Sequence, residues 1–261
     1  MAKSTPRVTL EEMAVFAALA FALAWGWWGW LWVQGALVEP GSHASHLPGL
    51  LAPMVAATLA RAWFGGRKAL AAWIVGLLRS WPLRRADLWV LLVAPLAVAW
   101  TVWLVSGASG ADALLRYPGL PETISPLAGV ALVLVVNGWG EEAGWRGLLH
   151  AGLRQRFSLP VTALLVGLVW ALWHAPIFAI HSQFAAMLGW PLMGWLISLL
   201  AGAPVLGWLF ERSGGAVAYV AWWHTLFNYA TAPPPLVGAS AMVVSALVLV
   251  GALAILRQEL G

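Results

Sequence analysis

Cysteine is absent from the 261 residues of this chain. That excludes disulfides, thiolate nucleophiles and thiolate-bound metals. Charge is nearly as scarce. Asp, Glu, Lys and Arg make up 9% of the chain, where an ordinary soluble domain carries about 25%. With 62% hydrophobic residues and a mean hydropathy of +0.83, the shortage excludes a soluble globular protein and points to an integral membrane one. No polar stretch is long enough to fold alone, so residues 1–261 read as a single integral membrane domain. No repeat of fixed period and no low-complexity tract is present. The net charge is +4. In a bilayer protein that excess follows from basic cytoplasmic loops, and no nucleic-acid partner is expected.

What is present is a series of apolar runs. The lead Met1–Glu12 is polar, and Met13–Val33 is long enough to cross a bilayer, which takes about 20 residues. Its apolar core is too long for a signal peptide, so it reads as an uncleaved anchor. Glu39–His46 is a loop and Leu47–Phe64 a second span. Gly65–Asp87 holds Arg67, Lys68, Arg79, Arg84 and Arg85 around the short apolar run Ala69–Leu78. That run is either a helix in the lipid interface or part of a cytoplasmic loop. Further spans are expected at Leu88–Val105, from Pro126 through Glu141 and on toward Arg156, at Val161–Ile180 with an interruption at Pro176, at Met187–Phe210, at Ala216–Ala230 and at Leu236–Leu256. The fold class is therefore all-α, a polytopic membrane bundle of eight transmembrane helices. Lys and Arg collect on the side of both termini, while the other side has Arg116 against Glu39, Asp112 and Glu122. The positive-inside rule then makes both termini cytoplasmic in a cytoplasmic membrane. The tryptophans at 25, 27, 28, 30 and 32 surround the first helix, which suits packing and interface anchoring rather than a ligand cage.

Against this background the stretch Gly138-Trp139-Gly140-Glu141-Glu142-Ala143-Gly144-Trp145-Arg146-Gly147 stands out. The chain has only ten acidic residues, and two are here. An ionised side chain at bilayer depth costs at least about 2.5–3.5 kcal/mol, so such groups need partners. Glu142 and Arg146 are four apart on one helical face and answer each other. Glu141 is turned about 100° away and lacks that partner, which leaves it free for chemistry. His174 lies two residues before Pro176, whose ring tends to kink a helix. His224 and Asn228 are four apart and share a face. Counting from the cytoplasmic helix ends at about 1.5 Å per residue puts Glu141, His174 and His224 at roughly 20, 24 and 15 Å, close enough for one level in tilted helices. A carboxylate, two imidazoles and an amide around one cavity suit hydrolysis by an activated water, with proton transfer through the carboxylate and donors for the oxyanion. His150 and His181 are expected to lie away from this group, and His43 and His46 in a loop.

These motifs, Glu141-Glu142-x-x-x-Arg146, Trp170-x-x-x-His174 and His224-x-x-x-Asn228, in that order on three expected spans, resemble the CPBP family. These are the CAAX-protease and bacteriocin-processing intramembrane proteases, related to the type II CAAX prenyl endopeptidase. The resemblance covers about residues 45–232 and includes Leu51-Ala52-Pro53. It departs from the pattern at Trp170, where the family has Phe, which bears on the shape of the substrate pocket. The resemblance implies an intramembrane endopeptidase with Glu141 as the water-activating base and His174 as its helper. It implies that His224 and Asn228 stabilise the oxyanion and that Glu142 and Arg146 support the architecture.

Two histidines and a carboxylate could also form an open metal site, with a divalent ion such as zinc at Glu141, His174 and His224. His-Glu-x-x-His is absent, however, and the resemblance favours a glutamate mechanism with no metal and no other cofactor. The expected partners are the lipid bilayer and a peptide or protein substrate in or at the membrane. Two other classes compete: a proton-coupled transporter, since intramembrane Glu and His relay protons, and a catalytically silent scaffold or immunity protein.

Overall fold

The computed structural model describes residues 7–39, 42–78 and 86–261. Among these residues the chain is helical, apart from loops and one isolated bridge between Val38 and His181. Helix α1 spans Leu10–Val33. Thr9 starts it by accepting a hydrogen bond from the Glu12 amide at 3.1 Å, and Glu11 and Glu12 face the positive end of the helix dipole. Its buried residues Met13, Phe16, Ala20, Ala24, Trp28 and Leu31 recur every three or four positions and form one stripe. The stripe packs on α2, Ala52–Leu78. Among the five tryptophans of α1, Trp28 is the fully buried one and Trp32 is 65% exposed, which fits packing on one side and the interface on the other. Glu12 meets Arg61 of α2 at 3.1 Å, and both are buried.

Gly66 divides α2, with φ 62° and ψ −169°, a conformation that only glycine adopts without strain. The second half, 67–78, is helix rather than open loop. It returns to the bundle, where the Leu77 carbonyl accepts a hydrogen bond from the Trp139 indole at 3.0 Å. Arg67 and Lys68 are exposed at its start, while Arg79, Arg84 and Arg85 fall outside the described residues. Helix α3 is Ala86–Val105. Helix α4 is a continuous helical run over 126–153. It changes pitch twice, with wider π turns at Leu134–Trp139 and Trp145–His150 on either side of Gly140–Gly144. Helix α5, Leu159–Trp173, stops at His174. A turn through Pro176 separates it from the short helix Ile177–Ile180, so the proline ends the helix instead of kinking it. Helices α6 (Trp190–Arg212), α7 (Val217–Thr231) and α8 (Ala239–Leu260) complete the bundle.

Helix α4 is central. It packs against α2, α5, α6 and α7, and residues 140–146 are buried without interruption. Apolar side chains such as Met242, Leu247, Val250 and Leu253 face outward from α8, so the polar residues are inside and the apolar ones outside. That is the arrangement a hydrocarbon solvent selects. Among the described residues, five helical stretches are long and apolar enough to cross a membrane: Leu10–Val33, Leu47–Leu78, Leu159–Ile180, Trp190–Arg212 and Ala239–Leu260. The expected spans at 126–156 and 216–230 are helical, but α7 has 15 residues, about 22 Å of helix against about 30 Å of hydrocarbon. The bundle, not lipid, surrounds most of these two helices.

Candidate active site

Three glycines bring α4 close to its neighbours. A Cβ on Gly138 would lie 2.7 Å from the Ala221 carbonyl of α7, and one on Gly140 would lie 2.7 Å from the Leu50 carbonyl. A Cβ on Gly144 would lie 2.6 Å from Pro53 Cβ and 2.7 Å from Phe16. The backbone of the motif helix is thus pressed between α7 on one side and the start of α2 on the other. Leu51-Ala52-Pro53 forms part of that second wall. Gly140→Val should lower thermal stability by about 1–3 kcal/mol, the usual cost of overpacking a tight core. A melting curve in detergent checks it, and an unchanged midpoint counts against the contact.

The wide turns and close packing turn both carboxylates inward. Glu141 and Glu142 are 1% and 0% exposed. Glu142 Oε1 accepts from Arg146 Nη1 at 2.9 Å, as the spacing suggests. The same oxygen lies 2.7 Å from His224 Nδ1. His224 therefore pairs with Glu142 and not with Glu141, and Glu142 joins α4 to α7 as well as neutralising Arg146. Glu141 also has a partner within its own helix, contrary to the sequence expectation. Asn137, one turn earlier, donates Nδ2–H to Oε1 at 2.7 Å. From α5 the Trp170 indole N–H donates to Oε2 at 2.6 Å. Asn228 Nδ2 donates to Asn137 Oδ1, so Asn228 reaches Glu141 through Asn137.

His174 Nδ1 is 2.7 Å from the Trp170 carbonyl. A carbonyl only accepts, so Nδ1 carries the proton and the neutral ring keeps a lone pair on Nε2. The Trp170 ring stands between the two histidines, with centroids 5.7 Å from His174 and 5.5 Å from His224. Arg146 lies over the same ring, its Cζ 4.6 Å from the centroid. The structure thus gathers Glu141, Glu142, Arg146, His174, His224 and the half-buried Asn228 into one group and adds Asn137 and Trp170 to it.

The other histidines stand apart from this bonding. His150 Nε2 meets Glu211 Oε1 at 2.9 Å, and Arg154 binds the same carboxylate, which ties α4 to the end of α6. His46, expected in a loop, and His181, expected away from the site, are buried and packed edge to face with centroids 4.9 Å apart. Burial lowers His181 to about 4 and holds His46 well below the usual imidazole value, so both are neutral packing residues at pH 7.

A family model described as type II CAAX prenyl endopeptidase Rce1-like matches residues 123–230. A protein of Methanococcus maripaludis named CAAX prenyl protease 2 is 26% identical over 162 residues, which is 59% of this chain and 59% of that one. Over this part the chain is similar to the Rce1-like family, and the match spans less than two thirds of the relative's length. The part matched by the Rce1-like model carries α4, α5, α6 and α7, and with them every residue of the polar group. Leu51-Ala52-Pro53 lies before it. Asn137 is absent from the motif reading, and Trp170 enters it only for the shape of the pocket, although both had a further signal. Asn137 is four residues from Glu141, the spacing that paired Glu142 with Arg146, and a buried indole N–H usually has an acceptor.

Proposed function

We propose that this protein is an eight-span intramembrane endopeptidase, with both termini cytoplasmic, that cleaves a membrane-associated peptide by a water that Glu141 activates. The observation that carries the reading is the Glu141 carboxylate, buried and oriented at both oxygens, in the same group as His174 and His224. Each carboxylate oxygen has two lone pairs, so Glu141 can hold its two donors and still accept a proton from water. The water oxygen bonds to the scissile carbonyl carbon as its proton passes to Glu141. The carbonyl oxygen becomes the oxyanion. When the tetrahedral centre collapses, the carbon–nitrogen bond breaks and Glu141 returns the proton to the leaving amine. His174 Nε2, with its lone pair, serves as an acceptor for the same water. The second amide hydrogen of Asn228 and His224 Nε2 serve the oxyanion. A donor at His224 Nε2 requires the doubly protonated ring, and Glu142 faces that charge from the Nδ1 side. Glu142 and Arg146 hold this geometry in place.

The relative's name, CAAX prenyl protease 2, suggests a lipidated C-terminal peptide as the first substrate to test; an unlipidated leader peptide is the second. In proteoliposomes, mass spectrometry should detect one new amino and one new carboxyl terminus in one of these peptides. Intact peptides with proton-coupled solute uptake would instead favour a transporter, and intact peptides that stay bound would favour a scaffold.

The proposed mechanism uses no metal. Both oxygens of Glu141 accept hydrogen bonds from Asn137 and Trp170, which compete with an ion for the carboxylate. Among the described residues no set of three His, Asp or Glu side chains is arranged to hold an ion. Dialysis against a strong chelator should change the cleavage rate by less than about twofold, whereas loss of a metal that activates the water would remove several kcal/mol of transition-state stabilisation. Loss of activity restored by added zinc would overturn this part of the mechanism.

A further inference from the structure

We propose that the Trp170 indole N–H is the positioning group for the Glu141 carboxylate, a role beyond that of an aromatic wall. The proposal rests on the protease reading of Glu141. Phenylalanine, which the family pattern places here, would supply a wall but no donor. In this chain the indole nitrogen lies 2.6 Å from Glu141 Oε2, while Asn137 holds Oε1 at 2.7 Å. A carboxylate gripped at one oxygen can swing about its last torsion, which is broad for an sp³–sp² bond. Gripped at both oxygens, from α4 and from α5, it is fixed in plane and in rotation. The lone pairs that remain then point in set directions.

The ring itself is fixed. Trp170 is 6% exposed. Arg146 covers one of its faces, and His174 and His224 pack beside it. The Trp170 carbonyl also accepts the His174 Nδ1–H. One residue therefore orients the base through its side chain and the helper histidine through its backbone. A second-residue anchor of this kind raises kcat, because it sets the reacting geometry, and leaves substrate affinity alone. A wall that shapes the substrate pocket acts mainly on KM.

The test separates these roles. Trp170→Phe keeps an aromatic ring and removes the N–H. Incorporating the benzothienyl analogue of tryptophan at position 170 keeps the bicyclic shape as well and replaces only the N–H by sulfur. Both proteins should lose about 10- to 100-fold in kcat, the worth of one hydrogen bond to a charged group, with KM within about twofold of wild type. Full kcat in the benzothienyl protein would overturn the proposal, since shape alone would then suffice. A loss confined to KM would also overturn it. Glu141→Gln is measured beside them. If that variant is inactive and the benzothienyl protein is fully active, the positioning role fails and the glutamate reading stands. If Glu141→Gln cleaves normally, the glutamate reading itself fails.

Discussion

Glu141→Gln should lower peptide cleavage by about 10²- to 10⁴-fold, the usual contribution of a general base, while the protein still inserts and folds. The two side chains have the same shape, so the substitution tests charge and basicity with little change of volume. The introduced amide's carbonyl oxygen can take over one of the two hydrogen bonds that Glu141 now accepts, from Asn137 or from Trp170. The amide nitrogen must face the other donor, and one bond is lost. That local cost is about 1–3 kcal/mol. It is offset by the removal of a buried ionisable group from a helix with 0–1% exposure at this point. The melting midpoint should therefore move little while turnover collapses. The pairing of these two readouts matters. Loss of activity together with loss of folded protein would say nothing about a base, whereas a stable and inactive variant isolates the carboxylate. Turnover within about threefold of wild type, under 1 kcal/mol of barrier, would exclude Glu141 from the chemistry.

Much of the site could be read from one dimension because helical spacing is a strong constraint in a chain this poor in charge. With so few ionisable residues, Glu142 and Arg146 at four apart had little choice but to meet, and they do so at 2.9 Å. His224 and Asn228 share a face for the same reason. The partnership between helices was harder. A regular helical wheel turns Glu141 and Glu142 toward different neighbours and gives no reason to connect His224 with Glu142. The actual α4 carries wide turns before and after Gly140–Gly144 and is enclosed on several sides, so both carboxylates find protein partners. Pitch changes of that kind depend on the close contacts of Gly138, Gly140 and Gly144 with α7 and α2, which no local pattern encodes. The same holds for residues 67–78. Their apolar run was legible, but the helix and its return to Trp139 depend on a single left-handed glycine at 66. Trp170 shows a different limit. Its aromatic bulk was visible in the motif, while the direction of one N–H is a property of the assembled bundle.

Arg146→Met should destabilise the protein by about 3–5 kcal/mol, because it removes one of the two partners of the fully buried Glu142 carboxylate and leaves His224 as the other. The cation also leaves the Trp170 face, 4.6 Å away, which adds about 1–2 kcal/mol at a desolvated site. Pairing it with Glu142→Gln should recover most of the stability, since removing both charges of a buried pair is often close to neutral. Activity should not recover with it. After Glu142→Gln the side-chain carbonyl can still accept the His224 Nδ1–H, so the ring stays in place, but the carboxylate charge 2.7 Å from the ring is gone. The second proton that Nε2 offers the oxyanion then loses its contacting counter-charge. The double variant is thus expected to melt near wild type and to cleave at least about tenfold more slowly, a loss of roughly 1.4 kcal/mol in transition-state stabilisation. Thermal melts in detergent and initial rates in proteoliposomes measure the two quantities separately. If the double variant regained full activity along with its fold, Glu142 would be structural alone, and the 2.7 Å contact with His224 would have no part in the chemistry.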